Sequence, residues 1–219
     1  MTDGIWAGAE GRAGRMSEAN NTQMSEANKA RMSEANTREK VLIAARLVAQ
    51  ARGYGGLSFR DLAQDVGIKA ASVYHYFPSK AELGAAVAKR YWEDSVTVLE
   101  TLSSESPDPI DALRRYPETF RTALENDNRM CLCSYMSAEY DSLPESVQKE
   151  VQTFADVNIA WLTRLLTTAA VVEPEQAEAR ASAIFAAIGG AQLMARSRSD
   201  VALYDALVDG YRAAGLLPA

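Results

Sequence analysis

A chain of 219 residues, 47% of them hydrophobic, has enough apolar side chains for the core of one domain or of two small ones. No run approaches the roughly 20 apolar residues of a membrane span, the N-terminus lacks the layout of a secretory signal, and two cysteines give no disulfide framework, so the chain reads as cytoplasmic and free of the membrane. The net charge of -6 is unevenly spread: residues 37–90 carry nine Lys/Arg against four Asp/Glu, net +5, and residues 91–219 carry ten against twenty, net -10, which suits phosphate contact by the first segment alone.

Met-Ser-Glu-Ala-Asn recurs at Met16, Met24 and Met32, a period that fits neither a heptad nor a solenoid repeat. The stretch is poor in large apolar groups, so residues 1–36 are expected to form a disordered tail. Thr37 then caps a helix to Arg52, with Val41, Leu42, Ala45 and Val48 on one side and Gly53 stopping it. Ser58 caps the next, whose Leu62, Ala63 and Val66 share a face. Gly67 supplies a left-handed end to that helix, and Ile68 plugs the corner. From Lys69 to Phe77 a second short helix buries Val73 and Phe77 and turns Lys69, Ala70, Ser72, Tyr74, His75 and Tyr76 outward. Pro78 ends it, and Ser79 with Glu82 forms a capping box. Two helices about a glycine corner, the second carrying small and hydrogen-bonding groups outward, are the outline of a DNA-reading helix-turn-helix.

Over Ser58, Leu62-Ala63, Gly67-Ile68, Tyr74-His75-Tyr76-Phe77 and Lys80 to Leu83 the chain resembles the TetR family of transcriptional regulators. Leu62, Ile68, Tyr76 and Lys69 depart from the commonest residues of that signature, the last two where such proteins touch DNA. The resemblance implies a DNA-binding head over residues 37–83 and a ligand-binding and dimerisation body over residues 84–219. It also implies a repressor that a small-molecule effector releases from a palindromic double-stranded DNA operator. Ser58, Tyr74 and Lys80 are then expected on phosphates, Lys69, Ala70, Ser72 and His75 on base edges, Tyr76 on either, with Thr37 and Arg60 also in the DNA-binding set.

A long helix is expected from Ser79 to about Leu102, followed by helices over Ile110–Asn126, Arg129–Tyr140, Pro144–Val172, Pro174–Arg198 and Asp200–Ala214. No strand alternation of useful length appears, so the fold class is all-α with about nine helices. The last two are rich in small residues that permit close approach, which suits either packing within the chain or a homodimer in which they form a four-helix bundle with their symmetry mates. The family resemblance favours the homodimer.

Chemistry for an enzyme is sparse. The single histidine lies on the second short helix, no phosphate-binding glycine loop or His-Glu-x-x-His occurs, and two cysteines with one distant histidine make no zinc site. No cofactor is expected. If Asn128 caps the helix that follows it, Cys131 falls in the first turn beside Arg129, where the dipole and the cation favour thiolate; Cys133, deeper, reads as a small buried hydrophobe. The segment Met130 to Leu162 is also similar, at Cys131-Leu132, Ala138-Glu139 and Leu143-Pro144, to the branch of the family that includes the acrylate-responsive AcuR and the electrophile-responsive NemR. That similarity implies a small, electrophilic or unsaturated effector sensed near Cys131. Trp92, Tyr116, Phe120, Tyr135, Met136 and Trp161, with Phe154 and Phe185, are suited to line its cavity, although such residues at helical spacing also build cores. The competing reading is a helical small-molecule binding protein with no DNA role.

Overall fold

A computed structural model of the chain describes residues 32–218. The chain divides into two compact units, Met1–Val41 and Leu42–Ala219. Of the first, the described residues 32–41 are helical, and Thr37 lies inside that helix. Its hydroxyl donates to the Ser33 carbonyl at 2.9 Å, four residues back, so the expected cap at Thr37 is corrected: the helix starts before it. Most of the repeat-bearing tail lies outside the described residues.

The second unit opens with helix α1, residues 42–52, and continues with α2 (Phe59–Val66), α3 (Ala70–Tyr76) and α4 (Lys80–Glu105). The local signals behave as physical chemistry demands. The Ser58 hydroxyl accepts from the Asp61 N–H, and the Ser79 hydroxyl accepts from the Glu82 N–H at 3.1 Å. Gly67 closes α2 at φ 75°, with its own N–H on Ala63 and Gln64 carbonyls. Leu62, Val73 and Phe77 are buried, and the Phe59 ring meets the Tyr74 ring at 4.6 Å.

The remaining helices are α5 (Pro109–Arg115), α6 (Glu118–Glu125), α7 (Leu132–Ala138), α8 (Glu145–Thr168), α9 (Pro174–Arg198) and α10 (Val201–Ala213), with a single 3₁₀ turn at Tyr140–Ser142. Among the described residues there is no strand, and the all-α reading holds. The α4 and α8 helices pack along each other, α9 lies on α8, and α10 on α9. Between them a buried aromatic cluster forms, in which Tyr116 stacks on Trp161 and donates its hydroxyl to Asn158 at 3.0 Å.

Two expected helices are corrected. The Ile110–Asn126 segment is broken, because Pro117 has no N–H to continue the ladder; Tyr116 ends α5 and Pro117 starts α6. The Arg129–Tyr140 segment starts later, at Leu132, because Asp127 and Asn128 adopt φ of 61° and 53° to close α6, which returns the Arg129 N–H to the Ala123 carbonyl. Asn128 therefore caps nothing in α7; its amide donates to the Arg196 carbonyl and the Ser199 hydroxyl.

Candidate nucleic-acid interface and ligand cavity

On α3 and its cap, Lys69, Ala70, Tyr74 and His75 are exposed, whereas Ser72 and Tyr76 are half-buried. Arg60 is exposed on α2, and Ser58 begins it. The structure thus gathers the expected head residues of the second unit on α2, α3 and the start of α4. Lys80 differs from the simple expectation: its ammonium donates to the Gly55 carbonyl at 3.0 Å and lies 4.8 Å from the centroid of the Tyr54 ring. One of its three N–H groups is engaged, which leaves two for a phosphate.

The body grips the end of α1 and the loop after it with opposite charges. Arg196 of α9 donates to the carbonyls of Gln50 and Ala51 at 3.2 and 2.9 Å, capping the negative end of the helix. The Glu139 carboxylate, just beyond α7, accepts from the N–H of Tyr54 at 2.7 Å and of Gly55 at 3.4 Å. Gly53 makes room for it: φ is +69°, and a Cβ there would stand 2.2 Å from the Glu139 Oε2. The Gln50 amide donates to the Met130 carbonyl at 3.0 Å and ties the same helix end to the start of α7.

Between α1, α4, α6 and the start of α7 lies a cavity of about 410 Å³. Ile43, Arg46, Leu47 and Gln50 of α1 form one wall, Tyr91, Asp94, Ser95 and Val98 of α4 another, and Phe120, Ala123, Cys131 and Phe154 much of the rest. The size is within the range of small-molecule sites. Of the nine residues expected to line a ligand site, the structure brings Phe120, Cys131 and Phe154 to it, while Phe185 packs against the Phe120 and Phe154 rings. Trp92 instead donates to Glu150 at 2.7 Å, Tyr116 and Trp161 belong to the aromatic stack, Met136 is core, and Tyr135 stacks beneath the Arg196 guanidinium.

Sequence reasoning missed the α1 and α4 walls. A signal was present in Ile43 and Leu47, four apart and off the buried stripe of their helix; Ile43 is 52% exposed.

The reactive reading of Cys131 is also corrected. Cys131 is the N-cap of α7, 1% exposed, and burial pushes its thiol up, against the lowering by hydrogen bonds with Ser134 and Tyr91. Arg129, the expected activating cation, is paired with Asp127 at 3.2 Å. Burial likewise holds the Tyr91 hydroxyl well above the usual range, so both groups are neutral at physiological pH. Iodoacetamide labelling at neutral pH, followed by mass spectrometry, should modify Cys131 at least about tenfold more slowly in the folded protein than in urea. Equal rates would contradict the burial argument. Among the described residues no group of three or more His, Cys, Asp or Glu is placed to hold a metal, and no helix is long and apolar enough to cross a membrane.

A helix-turn-helix head joined to an all-helical body defines a class of DNA-binding regulator. Residues 41–87 match the bacterial regulatory proteins of the tetR family, and residues 109–207 match the C-terminal domain of LmrA/YxaF-like transcriptional regulators. The chain belongs to the TetR family of transcriptional regulators. It is 28% identical over 135 residues to the transcriptional repressor NemR of Escherichia coli K12, covering 59% of this chain and 67% of NemR. It is 30% identical over 93 residues to the regulator YxaF of Bacillus subtilis, covering 42% of this chain and 48% of YxaF, so that match spans about half of its relative. The crystal structure of a TetR transcriptional regulator from Legionella pneumophila superposes with a TM-score of 0.76 at 28% identity, covering 80% of this chain and 95% of that one.

Proposed function

We propose that the protein is a homodimeric repressor that a small molecule, bound in the α1–α4–α6 cavity, releases from a palindromic operator. The observation that carries this reading is the composition of the cavity wall: α1, a helix of the DNA-reading head, supplies four of its residues. A ligand there touches the head directly, and a coupling of about 1–3 kcal/mol between ligand and DNA is typical of such linkage. Release follows if the ligand favours a head orientation that no longer fits two major grooves about one DNA turn apart.

The dimer reading is supported by the outer faces of the last two helices. Ala183, Ala186, Gly190, Leu193 and Met194 of α9 and Ala202 and Ala206 of α10 are exposed, a set of small and apolar groups that suits a two-fold bundle. An electrophilic effector remains compatible with the cavity, with noncovalent binding preceding any attack by the buried thiol. Cys131→Ser then leaves release by a non-electrophilic ligand intact, measured by gel shift; its loss would assign the thiol a direct role.

The division of labour in the head is testable on a bound duplex. Lys80→Ala should weaken binding to all sequences and flatten the slope of log affinity against log salt by about one unit. Lys69→Ala should change the preference among operators. Identical behaviour of the two variants contradicts the assignment of α3 as the reading helix.

A further inference from the structure

Resting on the reading of the cavity as the effector site, its polar groups narrow the chemistry of what enters. Arg46 and Asp94 are the charged residues of its wall. Both oxygens of Asp94 are engaged: Oδ2 accepts from Arg46 at 3.0 Å and Oδ1 from Arg90 at 2.9 Å. Arg46 is not matched in the same way. One of its guanidinium N–H groups meets Asp94, its face lies 4.8 Å from the centroid of the Tyr91 ring, and among the described residues its Nε and second Nη have no partner. Its side chain is 40% exposed, so these donors are open to what the cavity admits.

Three of the other polar side chains of the wall have donors engaged within the protein. The Gln50 amide donates to Met130, and the Thr119 and Thr122 hydroxyls donate to the carbonyls of Tyr116 and Glu118. The Asn126 side-chain oxygen accepts from Arg129. Around them the wall is apolar, through Ile43, Leu47, Val98, Phe120 and Phe154. A cation would have to displace an arginine from Asp94, whereas an anion finds a guanidinium edge already presented.

We infer that the cavity selects a small organic acid, with its carboxylate on the free edge of Arg46 and its apolar body against Leu47, Val98 and Phe120. Arg46 stands on α1 and Asp94 on α4, so a bound carboxylate competes for the ion pair that joins the first helix of the head to the long connecting helix. Arg90 keeps Asp94 in place as that exchange occurs.

Three acid–amide pairs test this: hexanoate with hexanamide, benzoate with benzamide, and cinnamate with cinnamamide. Each is titrated into the full chain, free of DNA, by calorimetry and thermal melting. A charge-assisted contact predicts that at least one acid binds about tenfold more tightly than its own amide. Arg46→Gln abolishes that preference, and Asp94→Asn, which removes the competing carboxylate, keeps or strengthens it. Circular dichroism of both variants separates lost binding from lost folding, and the opposite outcomes expected of the two keep the test decisive. Equal binding of acid and amide in every pair, no binding by any acid at millimolar concentration, or an acid preference that survives Arg46→Gln overturns the inference. Acids that bind as described but leave the DNA complex intact support the inference and overturn the reading of the cavity as the control site.

Discussion

Gln192→Leu is expected to cost about 1–3 kcal/mol of unfolding free energy, because the buried Cys131 N–H loses its partner and the Phe120 carbonyl loses its second one. Gln192 is fully buried on α9. Its Oε1 accepts from the Cys131 N–H at 2.9 Å, and its Nε2 donates to the Phe120 carbonyl at 2.6 Å. These bonds tie α9 to the cap of α7 and to α6, at two of the residues expected from sequence to bind a ligand and placed by the structure in the cavity wall. Leucine matches the volume but leaves the Cys131 N–H dry, at about 1–3 kcal/mol, whereas the Phe120 carbonyl keeps its bond within α6. Denaturant unfolding at fixed protomer concentration measures the loss. A change below about 0.5 kcal/mol would mean that water replaces the amide and that the site is less closed than the geometry indicates.

Gly53→Ala is expected to destabilise the protein by about 2–4 kcal/mol and to weaken DNA binding as well. A non-glycine residue at φ +69° costs about 1–2 kcal/mol. The added methyl also occupies the place of the Glu139 carboxylate, whose bonds to the Tyr54 and Gly55 N–H groups are charge-assisted. That loop sets the angle at which α2 leaves α1, so a shift there moves the reading helix. Glu139→Ala removes the same bonds without the strain. The double variant should therefore lose less than the sum of the singles, and a coupling near zero in the double-mutant cycle would show that Gly53 and Glu139 act independently.

The helix-turn-helix was legible because it is specified locally. Ser58, Gly67, Pro78 and Ser79 each act on backbone within a few residues, and Val73 and Phe77 face inward by period alone. Pro174 and Asp200 place the starts of α9 and α10 for the same reason. Pro117 was equally visible, yet the apolar period running through it suggested one helix where two are present. The ligand residues were the hardest to read. Whether Cys131 lies in a first turn depends on the left-handed backbone of Asp127 and Asn128, and whether its thiol is activated depends on burial beneath α4 and α9. Neither is encoded next to the cysteine. The cavity wall contributed by Ile43, Arg46 and Leu47 arises only when the outer side of a head helix meets α4, a long-range contact to which a helical pattern is blind.

The central claim, that this chain reads a two-fold DNA site through α3, is tested most directly by selecting bound duplexes from a randomised library with the full-length protein and sequencing them. The account predicts enrichment of an inverted repeat with half-site centres about one DNA turn apart, bound by two protomers, with an affinity that falls steeply as salt rises. Recovery of sequences no different from the starting library, or of a single unrepeated half-site bound by one protomer, would contradict it.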